Sequence, residues 1–215
     1  MVESPPHRPS VEEWESHYQS QPMGWRGVAD LDIPPCKGRR VLELGCGSGK
    51  TLERLLESGA EAFAIDFSSS AVEICRRRFG ADVEVKVADV RELPFPDAYF
   101  DGILAVHVLN HLTTQDRAVA AKEIIRCIRP GGWILLRGFD REDMRYGQGK
   151  EVEPHSFLRG NGIMYHYQDA DEVISMFPST SLQRKTQGKE MKRYHGRKLA
   201  RSWSDILLIF QEADD

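Results

Sequence analysis

The chain has 215 residues, 40% hydrophobic and 29% charged, with a formal net charge of −4. That composition suits one well-buried domain and argues against collagen-like repeats, wholesale disorder or a membrane bundle. The charge is uneven: residues 182–204 hold eight Lys/Arg against Glu190, a local +7 that leaves −11 elsewhere.

Residues 1–39 read as an N-terminal extension. Met1 to Ser10 mixes prolines and charges without an apolar core, so no secretory pattern is visible. Val11 to Gln19 can form a short helix, and Pro22, Gly24 and Gly27 make a loop after it. A regular alternation starts at Arg40. Val41 to Leu44 is a buried strand, and Ser48 to Ser58 is a helix with Leu52, Leu55 and Leu56 on one face. Ala62 to Ile65 is a second strand. Ser68 caps a helix that carries Val72, Cys75 and Phe79 and stops at Gly80. Val83 to Ala88 and Phe100 to Val106 are the third and fourth strands. Thr113 to Ile128 is a helix, and Pro130-Gly131-Gly132 turns into a fifth strand, Trp133 to Arg137. Near-continuous apolar strands alternating with helices predict a parallel sheet covered on both faces. Gly138 to His166 breaks that rhythm. Asp169 to Phe177 is a short helix, and Ser181 to Gln187 and Ile206 to Gln211 are closing strands.

No apolar run nears the roughly 20 residues that cross a bilayer. Cys36, Cys46, Cys75 and Cys127 are widely spaced with no C-x-x-C, which favours reduced thiols in a cytoplasmic protein over a zinc knuckle or disulfide scaffold.

Glu43-Leu44-Gly45-Cys46-Gly47-Ser48-Gly49 lies where the first strand meets its helix. Glycines there allow a tight turn and close approach of a ligand to the main chain. Gly49-Lys50-Thr51 is not a phosphate-binding P-loop end, because Leu44 stands where that motif needs glycine. Nor is the loop G-x-G-x-x-G, whose third glycine would fall at Lys50 or Leu52. Asp66, 21 residues after Gly45, ends the second strand, where a carboxylate can accept both hydroxyls of a ribose. Asp89 follows the third strand on the same sheet edge, where it can accept an adenine amino group with Phe67 and Val90 against the ring.

Taken in order, these motifs resemble the class I S-adenosylmethionine-dependent methyltransferases with E/D-x-G-x-G-x-G. The likeness covers about residues 40–137 and includes Ala64-Ile65-Asp66-Phe67-Ser68, Ala88-Asp89-Val90, Leu93-Pro94-Phe95, Phe100-Asp101 and Ile128-Arg129-Pro130-Gly131-Gly132. It implies an α/β, Rossmann-like doubly wound seven-stranded sheet, mostly parallel with an antiparallel last strand, over residues 40–215. It also implies S-adenosylmethionine as cofactor and S-adenosylhomocysteine as product. Glu43 and Gly45, Cys46, Gly47, Ser48 and Gly49 would hold the methionine end. Asp66, with Phe67 and Ser68 beside it, would hold the ribose, and Asp89 and Val90 the adenine. Ala105, Val106 and His107 would pass near the sulfonium. Trp14, Tyr18 and Gly24-Trp25-Arg26 resemble an N-terminal lid in which Arg26 meets the methionine carboxylate.

The sulfonium is already a strong electrophile, so the chief tasks are orientation and exclusion of water. A general base is needed only for an acceptor protonated at neutral pH, and His107 and His111 are the candidates, with Asn110 as a neighbour. Their four-residue spacing lacks a zincin glutamate, so no metal is expected. Residues 138–167 are expected to shape the acceptor pocket through Arg141, Arg145, Tyr146, His155, Arg159, Tyr165 and His166. A small-molecule acceptor is favoured. The basic 182–204 stretch keeps RNA, including transfer RNA, open, as is a non-catalytic cofactor-binding module. No membrane partner is expected, and the chain is expected to be a monomer or homodimer.

Overall fold

A computed structural model describes residues 11–20, 30–194 and 197–211. Five parallel strands form the centre: β1 (Arg40–Leu44), β2 (Glu61–Asp66), β3 (Val83–Val87), β4 (Phe100–Val106) and β5 (Ile128–Phe139). A long hairpin, β9 (Thr180–Tyr194) and β10 (Arg197–Phe210), completes the seven-stranded order β3-β2-β1-β4-β5-β10-β9. β10 is antiparallel to both β5 and β9.

β1 and β4 are buried along almost their whole length, as their mostly apolar runs require of strands covered on both faces. Two cores follow. Leu52 and Leu55 of α2 (Lys50–Glu57) and Val72 and Cys75 of α3 (Ser69–Phe79) pack on one face. Ala120 and Ile124 of α4 (Thr114–Cys127) and Val173 of α5 (Ala170–Ser175) pack on the other. Strand order reverses at the β1–β4 junction, which opens a crevice at the carboxyl ends of the strands. Side-chain oxygens cap three of these helices: Ser68, Thr113 and Asp169 accept from the backbone N–H of Ala71, Asp116 and Glu172.

Two regions depart from the sequence reading. The hairpin is far longer than the expected closing strands. Only Trp203–Ile209 of β10 pairs with β5, so residues 197–202 and their β9 partners run on past the carboxyl end of β5 as a two-stranded ribbon. Within 138–167, where the sequence shows only irregular chain, β6 (Lys150–Glu153), β7 (Ser156–Leu158) and β8 (Met164–His166) form a small antiparallel sheet. No described helix is long and apolar enough to cross a membrane.

Candidate functional site

The loop after β1 is built on left-handed backbone. Gly45, Gly47 and Gly49 have φ of +63°, +53° and +81°, a region in which a Cβ is strained. A Cβ on Gly47 would also stand 2.7 Å from the Tyr18 hydroxyl. The loop is tied down by Cys46 N–H donating to Ile65 O and Gly49 N–H donating to Cys46 O. Behind it, Glu43 is buried with Oε2 lacking a hydrogen-bond partner among the described residues. Burial pushes the Glu43 carboxyl well above its usual range, against a hydrogen bond from Thr51.

Asp66 closes the cradle from β2. Its Oδ2 accepts from Gly47 N–H and its Oδ1 from Ser68 N–H, each at 2.9 Å. Burial raises the carboxyl to about 6, and those backbone donors hold it from rising further. The buried partnerless oxygen of Glu43 and the Cβ-free loop suit the methionine and ribose ends of the expected cofactor. The third strand end is less open. The Asp89 carboxylate is gripped by the Arg91 guanidinium, and Val90 is buried with Leu93 and Phe95 in the core. Phe67 is half-buried.

The helix α1 (Val11–Ser20) lies over this cradle. Glu15 accepts hydrogen bonds from the hydroxyls of Ser68, Ser69 and Ser70 and from Ser70 N–H, and the Ser70 and Ser68 hydroxyls hold its carboxyl down at about 2. A cleft of about 380 Å³ runs between α1 and α3 beside Tyr18, Ser70, Ile74 and Arg77, and it includes none of the glycine loop. Trp25 and Arg26, expected to complete the lid, lie outside the described residues.

Beyond β4 the chain kinks. His107 has φ +62°, an uncommon conformation for a non-glycine residue that costs about 1–3 kcal/mol. The kink stacks its ring on Phe139 at 4.2 Å and 14°. His107 Nδ1 is buried without a partner among the described residues. Burial, followed by His111 and the arginines Arg137, Arg145 and Arg201, pushes its pKa well below the ordinary value. His111 packs edge-on to Trp14, Phe139 and Tyr165. Its Nδ1–H donates to Met164 O at 2.7 Å, which leaves Nε2 with the lone pair. Burial lowers His111 to about 4 despite that bond. Both imidazoles are therefore neutral at pH 7, with little capacity to take up a proton. Asn110 is structural: its Nδ2 donates to His166 O and Gln168 Oε1.

The 138–167 residues divide. Arg145 lies 4.6 Å over Phe139, and Arg159 lies 4.1 Å over Tyr165. Tyr146 and His155 bond to each other, and Arg141 pairs with Asp169. His166 turns inward, accepting from Ser156 Oγ and donating to Glu172. That Ser-His-Glu arrangement copies an acyl-transfer triad, but Ser156 is fully buried and no substrate reaches it. The central ring, Phe139, escapes sequence reasoning because a single apolar residue at a strand end carries no signal. Among the described residues no cluster of His, Cys, Asp or Glu is arranged to hold a metal ion.

The family model for a methyltransferase domain matches residues 42–136. The chain is 31% identical over 183 residues to a tRNA N(3)-methylcytidine methyltransferase of Drosophila melanogaster, covering 77% of this chain and 56% of that protein. It is 34% identical over 117 residues to a demethylmenaquinone methyltransferase of Clavibacter sepedonicus, covering 54% and 47%. The chain spans about half the length of the curated relatives it matches. Its fold matches a methyltransferase structure from Methanosarcina mazei with TM-score 0.71 at 22% identity, covering 84% of this chain and 99% of that one. With the sheet order and the matched segment in agreement, residues 42–136 form a methyltransferase domain and the chain has the fold of the class I S-adenosylmethionine-dependent methyltransferases.

Proposed function

We propose that this chain moves the sulfonium methyl of S-adenosylmethionine to a small planar acceptor held against the His107, His111, Phe139 and Tyr165 rings. The observation that carries this reading is the adjacency of two sites: the glycine loop with Asp66 at the ends of β1 and β2, and the aromatic cluster at the ends of β4 and β5. Glu43 and Gly45–Gly49 would hold the methionine end, Asp66 the ribose and Asp89 the adenine. When bound, the cofactor supplies an electrophilic methyl group. The chain's own work is to orient the acceptor and exclude water, and alignment of this kind supplies roughly 7–11 kcal/mol in favourable cases. Because burial keeps both histidines neutral and weakly basic, the acceptor atom is already nucleophilic at neutral pH. His107 and His111 then position it rather than deprotonate it.

RNA is the second reading, and the ribbon favours it. The ribbon projects past the carboxyl end of β5, on the edge where the cradle lies. Along the hairpin Arg184, Lys189, Lys192 and Arg201 have carboxylate partners, whereas Lys185, Arg193 and Lys198 have none among the described residues. Relatives named for tRNA methylation support it further. Incubating the purified chain with methyl-labelled cofactor and separated small-molecule, RNA and protein pools tests both readings. Label in small molecules is expected. Label in RNA, with binding that weakens steeply as salt rises, would replace the first reading with the second. Saturable cofactor binding with no label in any pool would leave a cofactor-binding module and overturn both.

A further inference from the structure

Four arginines reach the acceptor side, and their charges are not alike. Arg141 pairs with Asp169 at 3.0 Å. Arg145 and Arg201 share Asp143, at 2.8 and 3.0 Å, and Asp143 is itself buried. Arg159 has no carboxylate partner among the described residues. Its Nη2 donates only to neutral oxygens, Tyr167 Oη at 2.5 Å and Arg145 O at 3.1 Å. Its Nε is sealed from solvent and meets no acceptor. A cationic N–H out of water with nothing to donate to is unfavourable, and an anion relieves it.

The position of that charge matters. The guanidinium lies 4.1 Å over the Tyr165 ring, which meets His111 edge-on at 4.9 Å and tilts over Phe139 at 5.9 Å. Arg159 thus forms a wall of the same aromatic cluster that the kinked His107 enters. Two neutral acceptors hold its Nη2 without consuming its charge, and Nε is left without one. Guanidinium donors match the oxygens of carboxylates and phosphates.

We propose that Arg159 is the anion-recognition residue of the acceptor site, taking a carboxylate or phosphate group carried by a planar acceptor whose ring packs beside Tyr165. This rests on the methyl-transfer reading for the word acceptor, while the anion site stands on its own geometry.

Calorimetry on the full chain saturated with S-adenosylhomocysteine tests it, with benzoate, phenyl phosphate and the neutral isostere benzamide as probes. At least one aromatic anion should bind roughly tenfold or more tighter than benzamide, a difference of about 1.4 kcal/mol. The tighter of the two identifies carboxylate or phosphate as the group. Arg159→Gln should erase that preference while leaving benzamide and S-adenosylhomocysteine binding unchanged. Arg159→Lys, which keeps the charge but loses Nε, should retain part of it, and Lys122→Gln, an exposed single-charge control, all of it. Equal binding of all three probes to the unsubstituted chain overturns the proposal without any variant having to fold. An anion preference that survives Arg159→Gln overturns it too. If S-adenosylhomocysteine gives no heat but the anion preference is present and depends on Arg159, the methyl-transfer reading falls and the anion site stands. The reverse result removes only Arg159.

Discussion

Acidification should weaken cofactor binding through one carboxylate. Asp66 sits at about 6 in the folded chain because burial outweighs the two backbone N–H groups that favour its charged form. Ribose hydroxyls donate to the charged carboxylate, whereas protonation turns one oxygen into a donor and removes an acceptor. Affinity is therefore complete above about pH 6 and is lost as pH falls through that value. For a ligand that binds only the ionised form, the dissociation constant rises by the factor 1 + 10^(pKa − pH), about elevenfold at pH 5 relative to pH 8. S-adenosylhomocysteine has no group of its own titrating between about pH 5 and pH 8, so calorimetry across that range reads the protein. Asp66→Asn should flatten the profile and cost the charge assistance of two hydrogen bonds, together about 2–3 kcal/mol, or roughly thirty- to over a hundredfold. Any slope left in that variant belongs to Glu43, the other carboxyl raised by burial in the cradle. Equal affinity at both ends of the range, or an unimpaired Asp66→Asn, would refute the assignment of the ribose to this residue.

Gly47→Ala should lower thermal stability and weaken S-adenosylhomocysteine binding at least tenfold, since a Cβ there costs about 1–2 kcal/mol in backbone strain and meets the Tyr18 hydroxyl. Calorimetric affinity equal to the parent chain's would contradict it. Glu15→Ala should release α1, read as faster hydrogen exchange of the α1 amides with α2 and α4 unchanged. Because the Glu15 carboxyl is held at about 2, below its ordinary 4.5, the latch is fully present above pH 4.5 and is lost only as pH falls toward 2. Exchange in α1 that already accelerates at pH 6 would argue against it. His111→Phe should cost about 1–3 kcal/mol in urea unfolding by leaving Met164 O without its donor. With cofactor saturating at every pH, so that Asp66 does not enter, the transfer rate of the parent chain should show no inflection near pH 6.5, and one abolished by His111→Phe would make this histidine a proton carrier after all.

The parallel strands were readable in the chain because burial on both faces leaves mostly apolar runs such as Val41–Leu44 and Phe100–Val106, interrupted only by the buried Glu43 and Asp101 and by no solvent-facing alternation. The Ser68 cap and the glycine loop were readable for the same local reason: each is specified within a few residues. Contacts that join distant residues were not. Glu15 meets Ser68, Ser69 and Ser70 from more than fifty positions away. The Arg91 grip on Asp89 is only two residues long, yet nothing in the order Asp-Val-Arg says that the guanidinium folds back. The hairpin was misjudged in length because its outer part is stabilised by cross-strand pairing of charged and polar residues, such as Glu190 opposite Arg201 and Lys189 opposite Ser202. Hydrophobic periodicity sees none of that. The left-handed turn at His107 was invisible too, since it follows from tertiary packing on Phe139 and not from the residue type.

The electrostatics of the acceptor side fit the proposed reaction better than a charged general base would. An imidazolium beside a sulfonium would repel it, and His107 and His111 are kept neutral chiefly by burial. Asp205 offsets Arg137, and Asp143, shared by Arg145 and Arg201, offsets one of their two charges. Aromatic faces remain, from Trp14, Phe139 and Tyr165, and such faces favour a nearby cation. Trp14 and Tyr18 lie four residues apart on α1, so one helix face meets His111 through the first and the glycine loop through the second. A cationic methyl donor and an anionic acceptor would therefore share a wall built from α1. Among the described residues Arg159 has no carboxylate partner, and its charge is of the sign that such an acceptor would neutralise.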